Sequence, residues 1–134
     1  MIKVYGDAVT KKMLNILILQ ILKDFSDDDH HLTQQEIIRK LRAEYGVEKV
    51  DRRTVRDNVQ SLVDMGYDIE NEGEDGYYMT MREFDDAELR ILIDSVLFSK
   101  TISDTAAKRL IEKLRSFGNI YFDTKVSHVK PTPA

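Results

Sequence analysis

The chain has 134 residues, of which 42% are apolar and 33% charged, enough for one ordinary core or for a core and a small appendage. There is no cysteine, which excludes disulfides, thiolate metal sites and cysteine nucleophiles. A net charge of -4 argues against a protein whose whole surface grips nucleic acid.

Residues 1–9 carry no strong periodicity; Ile2-Lys3-Val4-Tyr5 reads as a short strand or an arm. From Thr10 to Phe25, Met13, Leu14, Leu17, Ile18, Ile21 and Leu22 recur at helical spacing. Ile16 and Leu19 widen that stripe, so the helix is expected to be buried on more than one side. The longest apolar run, Ile16 to Leu19, is far too short to span a bilayer, and no membrane partner is expected. No secretory signal pattern is evident, so a cytoplasmic location is expected. His30 and His31 follow three aspartates in a loop. Adjacent loop histidines rarely converge on one ion, and the remaining histidine is His128 in the tail, so no metal or other cofactor is expected.

Thr33 and Glu36 form a capping box, T-Q-Q-E, at the head of a helix whose apolar face is Ile37, Ile38, Leu41 and Tyr45. Gly46 ends it. The stretch Val50 to Gly66, VDRRTVRDNVQSLVDMG, carries a second short helix over residues 51–65, with Asp51 as its cap and Gly66 as its stop. Val55, Val59, Leu62 and Val63 mark its buried side. Its other side presents Arg53, Asp57, Gln60 and Ser61, flanked by Arg52, Thr54, Arg56 and Asn58. Arginine, amide and hydroxyl groups near a helix N-terminus suit phosphates and major-groove base edges. From Ile37 to Arg56 seven basic residues stand against three acidic ones, a basic island on an acidic protein. Two short helices joined by a glycine turn, the second with a polar face, form the helix-turn-helix pattern.

After Gly66 the period changes. Tyr67 and Ile69 alternate with polar neighbours, residues 71–76 read as a loop, and Tyr77-Tyr78-Met79 return as a strand, giving a β-hairpin. Its loop region holds Glu70, Glu72, Glu74 and Asp75 and no cation, so it is not expected to grip phosphate. Phe84 to Lys100 predicts a further helix with Leu89, Leu92, Ile93, Val96 and Leu97 inward. Ser103 opens a last one, with Ala106, Ala107, Leu110, Ile111, Leu114 and Phe117 inward. Ile91 and Phe98 lie off the main stripe and are expected to be covered by a second copy of the chain.

The fold class is therefore mostly α: a winged helix-turn-helix of three helices plus a hairpin, followed by a helical hairpin. The expected domains are 1–82 for DNA binding, 83–118 for a linker and dimerisation segment, and 119–134 for the start of a connection. The function expected is sequence-specific binding of double-stranded DNA by a dimeric transcriptional regulator, with 51–65 as recognition helix. The alternative is a winged helix that binds an acidic protein partner. No serine sits in a nucleophile turn and no glycine loop cradles phosphate, so catalysis is not expected.

The phrases HLTQQEI, VDRRTVRDNVQSLVDMGYDIE, the YY hairpin strand and REFDDAELRILIDSVLFSKTISDTAAKRLIEKL occur in that order. Together they resemble the N-terminal half of bacterial transcriptional regulators that carry a WYL domain. The resemblance covers about residues 11 to 120. It implies DNA contacts by Arg52, Arg53, Thr54 and Arg56, with Thr33 and Gln34 near phosphates. It also implies that ligand sensing would belong to a C-terminal β-rich module outside these residues. The acidic hairpin loop departs from the family's expected wing.

Overall fold

The computed structural model describes the backbone of residues 7–80 and 82–122, with side chains from residue 12 onward. The chain falls into two compact units, Met1–Thr80 and Met81–Ala134.

The first unit contains α1 (Asp7–Phe25), α2 (Gln34–Tyr45), α3 (Arg52–Asp64), β1 (Ile69–Asn71) and β2 (Tyr77–Met79). Three helices are thus followed by a two-stranded antiparallel sheet, an order compatible with a winged helix. Helix α1 begins three residues earlier than its apolar stripe suggests, and nothing in the sequence Asp7-Ala8-Val9 breaks a helix. The expected strand or arm over Ile2 to Tyr5 lies outside the described residues. Leu14, Leu17, Ile18, Ile21 and Leu22 are buried against α2, α3 and β2. Leu19 packs at the edge of this core, whereas Ile16 is 61% exposed, so α1 buries one broad side rather than two.

Local chemistry sets the next two helices. The Thr33 hydroxyl accepts the Glu36 amide at 3.1 Å while the Thr33 amide donates to the Glu36 carboxylate at 3.1 Å, satisfying two otherwise unpaired donors. Gly46 closes α2 at φ 70°, and its amide donates to the Arg42 carbonyl. Asp51 caps α3 by accepting the Thr54 amide at 2.8 Å. Val55, Val59 and Leu62 are buried, but Val63 is 37% exposed: it begins the side of the helix that turns away from the core.

The hairpin pairs Ile69 with Met79 and Asn71 with Tyr77, and its connection includes one 3-10 turn at Gly73–Asp75. Leu32 joins β2 as a one-residue third strand, exchanging two backbone hydrogen bonds with Tyr77 at 2.8 and 2.7 Å. Gly76 makes this close approach possible. A methyl group there would stand 2.4 Å from the Leu32 carbonyl carbon and oxygen, and its φ of +103° also disfavours side chains. On the other side, the fully buried Ser26 hydroxyl donates to the Leu22 carbonyl at 2.6 Å and accepts the Met79 amide at 3.0 Å. The sheet is therefore anchored to the ends of two helical segments.

The second unit contains α4 (Asp86–Leu97) and α5 (Asp104–Arg115). Asp85 and Glu88 form a second capping box. Helix α4 stops short of the expected Lys100, because the Ser99 amide turns back on the Val96 carbonyl three residues earlier and Ser99 and Thr101 bond to each other in the turn. Leu89, Ile93 and Phe122 form a small core, edged by Phe84, Leu97, Ile111 and Leu114. The inward side expected for α5 is met in part: Ile111 and Leu114 pack against this core and Phe117 meets Phe84 edge to face at 5.4 Å, but no residue of the helix is fully buried and Leu110 is 39% exposed. A second correction concerns residues 120–122, which are helical rather than a plain connection. Asn119 starts that turn by accepting the amides of Tyr121 and Phe122 through one carboxamide oxygen. The rest of the expected connection lies outside the described residues.

Candidate nucleic-acid interface

The heads of α2 and α3 and the tip of the hairpin surround one cleft of about 670 Å³. Thr33, Gln34 and Gln35 line it from α2, Arg52 and Arg56 from α3, and Asn71, Gly73, Glu74, Gly76 and Tyr77 from the hairpin. The capping box leaves the Thr33 hydroxyl hydrogen available, and the Gln34 amide is steered by the bond it donates to the Tyr77 phenol at 3.1 Å. Arg52 and Arg56, four residues apart, share one flank of α3.

Four of the expected contact residues, Thr33, Gln34, Arg52 and Arg56, thus meet around one cleft. The other four do not line it. Arg53 and Gln60 stand on the outward stripe of α3 together with Asp57 and Asp64, and all four are exposed. Gln60 donates to Asp64 at 2.9 Å. Thr54 and Asn58 are half-buried on the side nearer the core, and Asn58 donates to the Thr54 carbonyl at 2.8 Å, so its amide nitrogen is engaged within its own helix. Gln35, Asn71, Gly73, Glu74, Gly76 and Tyr77 are the lining residues that sequence reasoning missed. For Gln35 the capping box was a signal, since it sits in the first turn; for the hairpin residues no local pattern says which helix the tip will face.

The basic island is only partly committed to internal partners. Lys40 lies 4.0 Å above the Phe25 ring, and Arg42 faces Glu48 at 3.7 Å. Arg56 approaches its neighbour Asp57 at 3.6 Å, with both side chains more than half exposed, a weak and water-screened contact. Arg52 and Arg53 make no ion pair among the described residues. Asp51 has its carboxyl held below the usual 3.8, first by the Thr54 amide and hydroxyl, with a further contribution from the Arg53 charge.

The opposite side of the hairpin is acidic. Tyr78 stacks on His31 with ring centres 4.2 Å apart and donates to Glu72 at 3.3 Å. Burial pushes the Tyr78 phenol up, and the charges of Glu72, Glu70 and Asp28 push it further. His30 bonds to Asp27 at 2.8 Å, and no group of three acidic or histidine side chains among the described residues could hold a metal. No helix among those residues is long and apolar enough to cross a membrane. Comparison of the chain with family models, with curated proteins and with solved structures finds no match.

Proposed function

We propose that the chain is a sequence-specific DNA-binding regulator of transcription, built as a winged helix-turn-helix with α3 as the helix that enters the major groove. The observation that carries this reading is the convergence of Thr33, Gln34, Arg52 and Arg56 on one cleft, with an exposed Arg53 that has no ion pair among the described residues. Short polar side chains and helix N-termini hold phosphates, while a long guanidinium on the neighbouring stripe reaches base edges. Kinship with WYL-domain regulators is part of the proposal and rests on the sequence phrases alone. So does action as a homodimer through Ile91 and Phe98, which are 65% and 48% exposed.

Selection from a random pool of duplex fragments at moderate salt should enrich one motif, and its absence would remove the proposal. Against that motif, Arg53→Ala should weaken binding by about 1–3 kcal/mol if the guanidinium reads a guanine edge.

A second reading is a winged helix that docks an acidic protein partner on the exposed guanidinium groups of Arg52, Arg53 and Arg56. Both readings use the same arginines, so arginine variants do not separate them. Displacement of a bound protein by duplex DNA does.

A further inference from the structure

The hairpin brings one carboxylate to the cleft that holds the two cleft arginines. Of the acids on the hairpin, Glu74 alone lines it. The backbone carrying Glu74 is tied at both ends. Asn71 accepts the Gly73 amide at 2.9 Å, and the Glu72 amide donates to the Gly76 carbonyl at 2.9 Å. Gly76 is seated against the backbone of Leu32 and Thr33, and Tyr77 is bonded to Leu32 on both sides. A loop held this way cannot swing clear of α3 without breaking the third-strand contact. Yet no ion pair joins Glu74 to Arg52 or Arg56. Glu74 thus shares the cleft with Arg52 and Arg56 without an ion pair to either.

We infer that Glu74 limits sequence-independent binding, as an anion fixed in the phosphate-facing cleft that competes with the DNA backbone for Arg52 and Arg56. The inference rests on the reading of this cleft as part of a duplex-binding face. Its physical basis is that a phosphate entering the cleft meets attraction from two guanidinium groups and repulsion from the one carboxylate that lines the same cleft. Removing that repulsion strengthens every phosphate contact made there, whatever the base sequence. The other hairpin acids, Glu70, Glu72 and Asp75, do not line the cleft, so the effect belongs to this position and not to net charge.

The test uses the whole chain and a short random-sequence duplex, titrated at several salt concentrations. Glu74→Gln, an isosteric change at an exposed residue, should tighten binding about three- to tenfold at low salt and steepen the log–log salt slope by up to about 0.9. Asp75→Asn removes the same charge one residue away and outside the cleft, and should give a clearly smaller gain. The Glu74→Gln gain should also vanish in an Arg52→Ala/Arg56→Ala background, because the coupling runs through those side chains. If the arginine changes weaken binding but Glu74→Gln leaves it unaltered, the inference is overturned while the proposed function stands. Equal gains from Glu74→Gln and Asp75→Asn overturn it too, as a net-charge effect. If no version of the chain binds any duplex at low salt, both fall together.

Discussion

The two units bury their apolar side chains to different degrees. In the first, five side chains of α1, two of α2, three of α3 and both strands close into a continuous core. In the second, among the described residues, three buried residues form the centre, α5 contributes none of them, and Ile91, Phe98, Leu110 and Ile120 are exposed. Both units have well-formed helices with side-chain caps, so capping does not account for the contrast. Helix ends are settled locally; a closed core needs a third layer, which the hairpin and α1 supply in one unit and which α4 and α5 lack.

The sharpest way to break this contrast is to remove the largest side chain from the smaller core. Phe122→Ala should cost the second unit about 3–5 kcal/mol, because few neighbours can collapse into the space. Near-ultraviolet and thermal unfolding should show the second unit's transition lost and the first unit's retained; loss of both together would mean the units unfold as one. In the first unit the comparable weak point is a backbone seat and not a cavity. Gly76→Ala should destabilise by about 3 kcal/mol, through contact with Leu32 and a disfavoured φ, and should detach the hairpin tip from α2.

The outward apolar residues give a subtler test. Ile91→Ser combined with Phe98→Ser should leave unfolding of the monomer nearly unchanged while shifting sedimentation from dimer to monomer. A wild-type chain that sediments as a monomer at high concentration removes the proposed role of this face. The smallest effect expected is at the α3 cap. The carboxyl of Asp51 is held low in the folded protein, so its contribution is complete above its ordinary value of 3.8 and is lost as pH falls through the lower folded value. An NMR titration should find its carboxyl midpoint below 3.8, and Asp51→Ala should remove the acid-induced loosening of the first turn of α3.

Much of the first unit was legible because its signals are short-range. Thr33 with Glu36, Asp51 before three arginines, and the period change after Gly66 each act within a few residues, and each gives the element expected. The errors arise where a side chain's fate depends on distant partners. Val63 and Ile16 fit an apolar stripe yet stay 37% and 61% exposed, and Leu110 fits another yet stays 39% exposed. The end of α4 was misjudged because hydroxyl contacts at Ser99 and Thr101 stop the helix where apolar spacing allows it to continue. At the candidate site, the two helix heads were readable and the hairpin side was not. The acids were visible as a charge run, but only the seat of Gly76 against Leu32 and Thr33 decides that Glu74 shares a cleft with Arg52 and Arg56.

The hydroxyl of Ser26 carries one more consequence. It holds the Met79 amide in a place fully closed to water, between the end of α1 and the last strand residue. That amide can trade its proton for deuterium only when the last strand residue parts from the Ser26 hydroxyl. Its exchange rate therefore reports the opening of this junction between strand and helix end, readable at one backbone position without a label or a mutation.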